Sequence, residues 1–74
     1  MTNEEKITIL AEDVFDVDVA DVTPETVLEE SDFWDSMSKL SLVSVFDEKF
    51  GKVLKGADIK QFVTVQDILT AMNS

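Results

Sequence analysis

Apolar residues recur at helical spacing in the first part of the chain and predict a helix over residues 3–16. Their positions follow the spacing i, i+3, i+4, i+7 and i+8, which places them on one face of a helix. The stripe consists of Ile7, Leu10, Ala11, Val14 and Phe15. Thr2 and Glu5 have the spacing of a capping box, in which the Thr side chain caps the first amides and the Glu side chain reaches back.

A second apolar pattern predicts a helix over residues 36–50. Its stripe consists of Leu42, Val43, Phe46 and Phe50. Gly51 follows immediately and can adopt the left-handed backbone conformation with which many helices end. Residues 57–61 then predict one short helix.

The last apolar pattern predicts a helix over residues 65–72. Thr64 is expected to cap this helix, with Val63 and Ile68 packed against each other as a hydrophobic staple. Val65, Ile68, Leu69 and Met72 form its apolar stripe.

Residues 17–35 lie between the first two helices and have a different pattern, in which Asp and Val alternate. Alternation is typical of a strand, but one strand alone would have no partner, and Pro24 among Asp, Ser and Thr residues favours an ordered loop. The side chains expected to hold the loop are Val22, Val27, Leu28 and Phe33. The sequence therefore predicts an all-α fold in a single domain, 1–74. It is a small four-helix bundle with three main helices, one short helix and a long loop between helices 1 and 2.

The composition removes several kinds of chemistry. The chain has no cysteine and no histidine, so thiolate nucleophiles, imidazole bases and the commonest zinc ligands are absent. Its net charge of -10 repels phosphate backbones, which disfavours nucleic acid as a partner. No apolar run approaches about 18 residues and no targeting signal is visible. We therefore expect a cytoplasmic monomer that does not insert into membranes.

The acidity is concentrated in the first half of the chain. Residues 1–35 hold twelve acids and one lysine, whereas residues 36–74 hold four acids and five lysines. Asp16, Asp18 and Asp21 begin like a calcium-binding loop, but Asp21 stands at the sixth position, where glycine is required. We interpret this run as a solvated acidic face that attracts divalent ions loosely at most, and we expect no metal site.

Ser36 lies where the acidic loop meets the second helix, and its position is compatible with two roles. Serine and aspartate are both favoured helix caps, so either Asp35 or Ser36 would serve. Alternatively, the Ser36 hydroxyl carries a phosphodiester, whose negative charge would lie at the positive end of the helix dipole. Position alone leaves both roles open.

The segment around Ser36 resembles the phosphopantetheine attachment segment of the acyl carrier protein family, in which an Asp-Ser-Leu or Asp-Ser-Met triplet opens the second helix. Here the segment reads Phe-Trp-Asp-Ser-Met-Ser-Lys-Leu-Ser-Leu-Val over residues 33–43. The apolar positions that follow match the family: Leu40, Leu42, Val43, Phe46 and Phe50. Thr64, Val65 and Gln66 resemble the start of its last helix. The likeness extends over nearly the whole chain, including length, acidity and helix order.

The resemblance implies that Ser36 receives 4′-phosphopantetheine from coenzyme A through a separate, magnesium-dependent phosphopantetheinyl transferase. Asp35 would help to position the serine for that enzyme. Acyl groups would be carried as thioesters on the prosthetic arm while acyl-loading and ketosynthase-type enzymes perform the chemistry, so the protein itself would not be an enzyme. Fatty-acid, polyketide or related lipid synthesis would use such a carrier.

The resemblance also implies two surfaces. Partner enzymes would contact Met37, Leu40, Asp47 and Glu48. A cavity for the acyl chain would involve Lys39, Leu42, Phe46, Phe62 and Leu69. Because Lys39 extends the inward stripe of the second helix, we expect its stem to lie on apolar surface with the ammonium at the rim. Near the cavity mouth it would, with Phe46 and Phe62, limit the sheltering of long cargo.

The sequence departs from the family pattern in two places. Phe33 and Trp34 stand where small residues are usual. The second helix is less acidic than usual, since Lys39 opposes its acids and Ser38 and Ser41 occupy positions at which family members commonly place acids. We therefore expect dedicated partner enzymes. Two alternatives stay open: an aminoacyl or peptidyl carrier, and a non-catalytic acidic helical interaction module in which Ser36 is only a cap.

Overall fold

The computed structural model describes residues 2–73, which form helices, turns and connecting segments without a strand. In chain order, the elements are α1 (Asn3–Ile9), a π-helical segment (Leu10–Phe15), 3₁₀ turns at Val19–Asp21 and Leu28–Glu30, α2 (Ser36–Phe50), α3 (Gly56–Gln61) and α4 (Val65–Asn73). The predicted all-α fold is confirmed, with three longer helices, a short α3 and a long connection before α2.

The first helix begins with the predicted capping box. The Thr2 hydroxyl oxygen accepts a hydrogen bond from the Glu5 amide at 3.2 Å, and Glu5 Oε1 accepts one from the Thr2 amide at 3.2 Å. The bond from the Thr2 amide is the main cause that holds the pKa of Glu5 below its ordinary value. The predicted helical stretch thus starts where the sequence indicates.

The second half of this stretch is π-helical, which the apolar spacing did not predict. The Asp16 amide donates to the Ala11 carbonyl, five residues back, and Asp16 ends the segment in the left-handed conformation with φ of 56°. The wider π turn still directs the same apolar stripe inward. Its buried members are Leu10, Ala11, Val14 and Phe15.

The connection before α2 is an ordered loop, as the clustered turn residues indicated. Val22 and Leu28 are buried in the core. Val27 and Thr64 pair in an isolated antiparallel β-bridge. Next to this bridge, the Leu28 amide donates a hydrogen bond to the Val63 carbonyl at 2.9 Å. The loop is therefore attached by its backbone to the segment that precedes α4.

The start of α4 is closed by groups from two parts of the chain. The Val65 amide donates to the Thr26 carbonyl at 3.0 Å, and the Gln66 amide donates to the Pro24 carbonyl at 2.9 Å. Asp67 Oδ2 accepts hydrogen bonds from the amides of Val63, at 2.8 Å, and Thr64, at 3.1 Å. These two hydrogen bonds lower the pKa of Asp67, and the bond from the Val63 amide has the larger effect.

One detail predicted for this helix start needs correction. Asp67 supplies the side-chain acceptor there, a role that the sequence assigned to Thr64. Val63 is 58% exposed and Ile68 is fully buried, and their packing as a staple stays a prediction. Asp67 is the third residue of α4, and its carboxylate reaches back to the amides that precede the helix.

One apolar core lies between the π-helical segment, the loop, α2 and α4. Its members from α2 and α4 are Leu42, Val45, Phe46, Val65, Ile68, Leu69 and Met72. As predicted, α2 ends at Gly51, which has φ of 62° and donates its amide to the Phe46 carbonyl. Across residues 2–73, none of the helices has the length and apolar character needed to span a membrane.

Candidate functional site

Ser36 is the first residue of α2, and its side chain is exposed. The residue that caps the helix is Asp35, whose backbone is extended and whose Oδ1 accepts a hydrogen bond from the Ser38 amide at 2.9 Å. The Ser36 hydroxyl makes no hydrogen bond to any described residue. Because Asp35 performs the capping, the exposed Ser36 hydroxyl is not used to hold the helix start.

The backbone around Ser36 provides donors for an anion. The first helical hydrogen bond of α2 runs from the Lys39 amide to the Asp35 carbonyl at 3.0 Å. Within the described residues, the amides of Ser36 and Met37 have no acceptor. Both amides lie at the positive end of a 15-residue helix. A negative group bonded to the Ser36 oxygen would lie beside them, so the residues present fit a phosphodiester at this position.

An aromatic cluster supports the chain immediately before Ser36. Phe33 stacks on Phe15 of the π-helical segment with ring centroids 4.3 Å apart, and Trp34 meets Phe15 nearly edge-on at 6.2 Å. The Ser38 hydroxyl donates to the Phe33 carbonyl at 2.5 Å. The large residues at 33 and 34 therefore anchor the loop where it enters α2, and they fix the direction in which the helix begins.

Ser38, at a position where family members commonly place acids, is buried, and Lys39 lies beside the aromatic cluster. Ser38 is only 6% exposed because its amide and its hydroxyl are both used in the helix start. The half-buried Lys39 has its Nζ 5.5 Å from the centroid of the Trp34 ring. Its ammonium thus lies over the indole, and Lys39 is not among the residues that line the cavity described below.

Two apolar side chains expected to contact partners are exposed on α2 next to Ser36. Met37 is 74% exposed and Leu40 is 67% exposed, and their spacing of three residues makes them neighbours on the helix surface. Asp47 and Glu48 are also exposed, but Asp47 lies about 16 Å further along the helix axis at 1.5 Å per residue. The apolar pair is therefore the part of the predicted partner surface closest to Ser36.

An open cavity of about 230 Å³ lies between α2, the segment before α3, α3 itself and α4. Its lining residues are Phe46, Lys52, Val53, Leu54, Asp58, Gln61, Phe62 and Ala71. Of the residues expected at an acyl cavity, Phe46 and Phe62 line it, whereas Leu42 and Leu69 are fully buried in the closed core. Lys52 Nζ donates to the Ala71 carbonyl at 3.0 Å, which joins the rim to α4.

An acidic groove of about 470 Å³ runs between the π-helical segment and the start of α2. Its lining residues are Glu12, Asp13, Val14, Phe15, Asp16, Asp35, Met37, Ser38 and Ser41. Lys49 Nζ lies 3.8 Å from Asp13 Oδ2 in an exposed ion pair between α2 and this segment. In the described part of the chain, no three carboxylates converge as ligands for a metal ion, and this includes the run from Asp16 to Asp21.

Comparison with known proteins adds no assignment to this geometry. No model of a known protein family matches the chain, and no solved structure matches it.

Proposed function

We propose that this protein is an acyl carrier protein that bears 4′-phosphopantetheine on Ser36. The observation that carries the proposal is that capping of α2 and exposure of a hydroxyl at its start belong to two different residues. Asp35 caps the helix, while the exposed hydroxyl of Ser36 has no partner in the described structure. The resemblance of residues 33–43 to the family's attachment segment supports the identity of the group.

In this proposal, a phosphopantetheinyl transferase moves the phosphopantetheine group from coenzyme A to Ser36. The Ser36 oxygen forms a bond to the phosphorus of the pantetheine phosphate while the pyrophosphate bond of coenzyme A breaks. Adenosine 3′,5′-bisphosphate leaves, and the hydroxyl proton passes to a base of the transferase. The thiol of the bound group then supplies the thioester chemistry that a chain without cysteine lacks.

The residues of this chain have positioning roles in that reaction. Asp35 holds the first turn of α2 through the Ser38 amide, which keeps Ser36 on the exposed side of the helix start. The amides of Ser36 and Met37, which have no acceptor among the described residues, would stabilise the charge of a phosphodiester on Ser36. Carrying, rather than catalysing, is the function that these groups support.

We further propose that partner enzymes, including the transferase and acyl-loading and ketosynthase-type enzymes, contact the exposed pair Met37 and Leu40. Asp47 and Glu48 would extend that surface. The cavity lined by Phe46 and Phe62 would shelter part of an apolar cargo. Fatty-acid, polyketide or related lipid synthesis in the cytoplasm is the setting proposed for such a carrier.

Intact-protein mass spectrometry after incubation with coenzyme A and a broad-specificity transferase tests the attachment. We expect the mass increase of one phosphopantetheine group, and we expect Ser36→Ala to abolish it. Ser44→Ala is the matched control because Ser44 is another exposed serine of α2, and this variant should be modified at the wild-type rate. Modification of the Ser36→Ala variant, or no modification of the wild type by any transferase, would overturn the proposal.

The cargo requires a separate measurement. The mass of the loaded arm in the producing cell distinguishes an acyl group from an aminoacyl or peptidyl group. Absence of any arm on protein purified from that cell would favour the acidic interaction module instead.

A further inference from the structure

Lys39 is a lysine of α2 that the described structure leaves without a carboxylate partner. The ion pair found among residues 2–73 belongs to Lys49 and Asp13. The contact of Lys39 is with the face of Trp34, at 5.5 Å from Nζ to the ring centroid. Such cation–π contacts at partly exposed sites are weak, so Lys39 is available to a stronger anionic partner.

Ser36 lies three residues before Lys39 on the same helix, and Trp34 lies two residues before Ser36. Side chains at i and i+3 are neighbours on the helix surface, with Cβ atoms about 5–6 Å apart. The long and flexible Lys39 side chain can therefore reach the oxygen of Ser36 as well as the indole of Trp34. No other lysine lies within the first two turns of α2.

We propose that Lys39 is a positioning residue that leaves the face of Trp34 and binds the phosphodiester once Ser36 is modified. This inference rests on the proposed function, because it needs the phosphodiester on Ser36. An ammonium ion bound to a phosphate oxygen forms a charge-assisted hydrogen bond, which is stronger than contact with an exposed ring. The modification would thus exchange one contact of Lys39 for another.

The exchange has two consequences for the site. The amides of Ser36 and Met37 and the Lys39 ammonium together would hold the phosphate against the first turn of α2, which fixes the direction in which the arm leaves the protein. The indole of Trp34 would lose its cation, and the face of the ring that Lys39 covers would become available. The unmodified and modified proteins would then present different surfaces to partner enzymes.

The test compares unmodified and modified protein by tryptophan emission and by ³¹P NMR. Trp34 is the only tryptophan in the chain, so emission reports on the Lys39 contact. The phosphodiester of the modified protein is the only phosphorus expected, so its resonance reports on the proposed contact between Lys39 and the phosphate. We expect modification to shift the emission of the wild type, and we expect 1 M NaCl to reduce this difference because it shortens the Debye length to about 3 Å.

Lys39→Met keeps an unbranched stem and removes the charge. We expect the emission difference between the two forms to be lost in this variant and its ³¹P resonance to move from the wild-type position. Lys39→Arg should restore both signals toward wild type, which a purely structural role of the stem would not require. Lys49→Met, which removes a lysine from the far end of α2, should leave both signals unchanged.

Mass spectrometry of each sample distinguishes a failure of the proposed attachment to Ser36 from a failure of the proposed role of Lys39. Absence of the modified species in the wild type would overturn the proposed function. A wild type that is modified but has the same ³¹P position and the same emission difference as its Lys39→Met variant would overturn the role of Lys39 alone.

Discussion

The starts of α2 and α4 solve the same structural problem in opposite ways. At α4, the first two amides donate to the carbonyls of Thr26 and Pro24, and Asp67 accepts from the two amides that precede the helix. At α2, Asp35 serves the Ser38 amide, and the amides of Ser36 and Met37 have no acceptor in the described structure. One start is closed by a distant loop, whereas the other is held by hydrogen bonds among neighbouring residues.

This difference separates stability from chemistry. Closing the start of α4 attaches the long loop to the last helix, and its first residue, Val65, is fully buried. Leaving the start of α2 open exposes a hydroxyl and two backbone donors at the positive end of a helix dipole. We therefore expect substitutions near the closed start to affect folding, and substitutions at the open start to affect the proposed modification of Ser36.

The largest effect is expected from Leu28→Ala, in the loop that closes α4. Leu28 is fully buried, and removing such a side chain costs about 2–5 kcal/mol, a large share of the stability of a small domain. Leu40→Ala is the matched control, because Leu40 is exposed beside the open start and should change the unfolding free energy by no more than about 0.5 kcal/mol. Urea denaturation followed by circular dichroism measures both. Similar losses in the two variants would contradict the comparison.

The next effect concerns which residue caps α2. Asp35→Ala should reduce the unfolding free energy by about 1 kcal/mol, because the Ser38 amide loses its acceptor. Ser36→Ala should change it by no more than about 0.5 kcal/mol, since the hydroxyl has no partner in the described structure. Thermal denaturation of the two unmodified variants shows which substitution destabilises the protein more. A larger loss of unfolding free energy in Ser36→Ala than in Asp35→Ala would show that Ser36, and not Asp35, caps the helix.

A smaller, pH-dependent effect is expected at the closed start. Hydrogen bonds from Val63 and Thr64 lower the pKa of Asp67, so its stabilisation is complete above the unfolded pKa, near 3.9. It is lost as the pH falls through the lower folded pKa. Asp67→Asn should cost about 1 kcal/mol or less near pH 7, and its difference from wild type should shrink below about pH 4.

Denaturant titrations from pH 7 to pH 2 measure this difference. The absolute stability of either protein is less informative, since protonation of many other acids also relieves repulsion. Asp47→Asn is the control variant, because it removes one negative charge from an exposed position of α2 and so has the same change in net charge as Asp67→Asn. A difference for Asp67→Asn that stays constant across this range would show that the carboxylate does not act through these hydrogen bonds.

The sequence predicted both ends of α2 because the residues that determine them are local. Asp35 caps the helix from the adjacent position, and Gly51 provides the left-handed conformation directly after the last turn. The location of Ser36 at the helix start follows from the same local signals. The core positions of α4 also follow from periodicity, since Val65, Ile68, Leu69 and Met72 are buried as their spacing indicates.

The missed features depend on contacts between distant residues. Carbonyls of Pro24 and Thr26 close α4 from about 40 residues away, and no pattern near Thr64 signals them. The Lys39 ammonium lies over Trp34, which in turn packs beside Phe15. Ser38 is buried because its hydroxyl meets the Phe33 carbonyl. The π-helical turn was missed because a stripe of this spacing is compatible with both helix types.

The smallest effect expected is that of salt, and it should be larger at the open start. Acids at Glu12, Asp13, Asp16 and Asp35 line the groove beside Ser36, so their mutual repulsion acts on the first turn of α2. Raising the NaCl concentration from about 0.01 M to about 0.1 M shortens the Debye length from about 30 Å to about 10 Å. Amide hydrogen exchange should therefore slow more at Lys39 than at Gln66. Because no three described carboxylates converge, MgCl₂ at equal ionic strength should add nothing further. Equal slowing at both helix starts, or an additional effect of Mg²⁺, would show that the acids do not distinguish the two starts through screening alone.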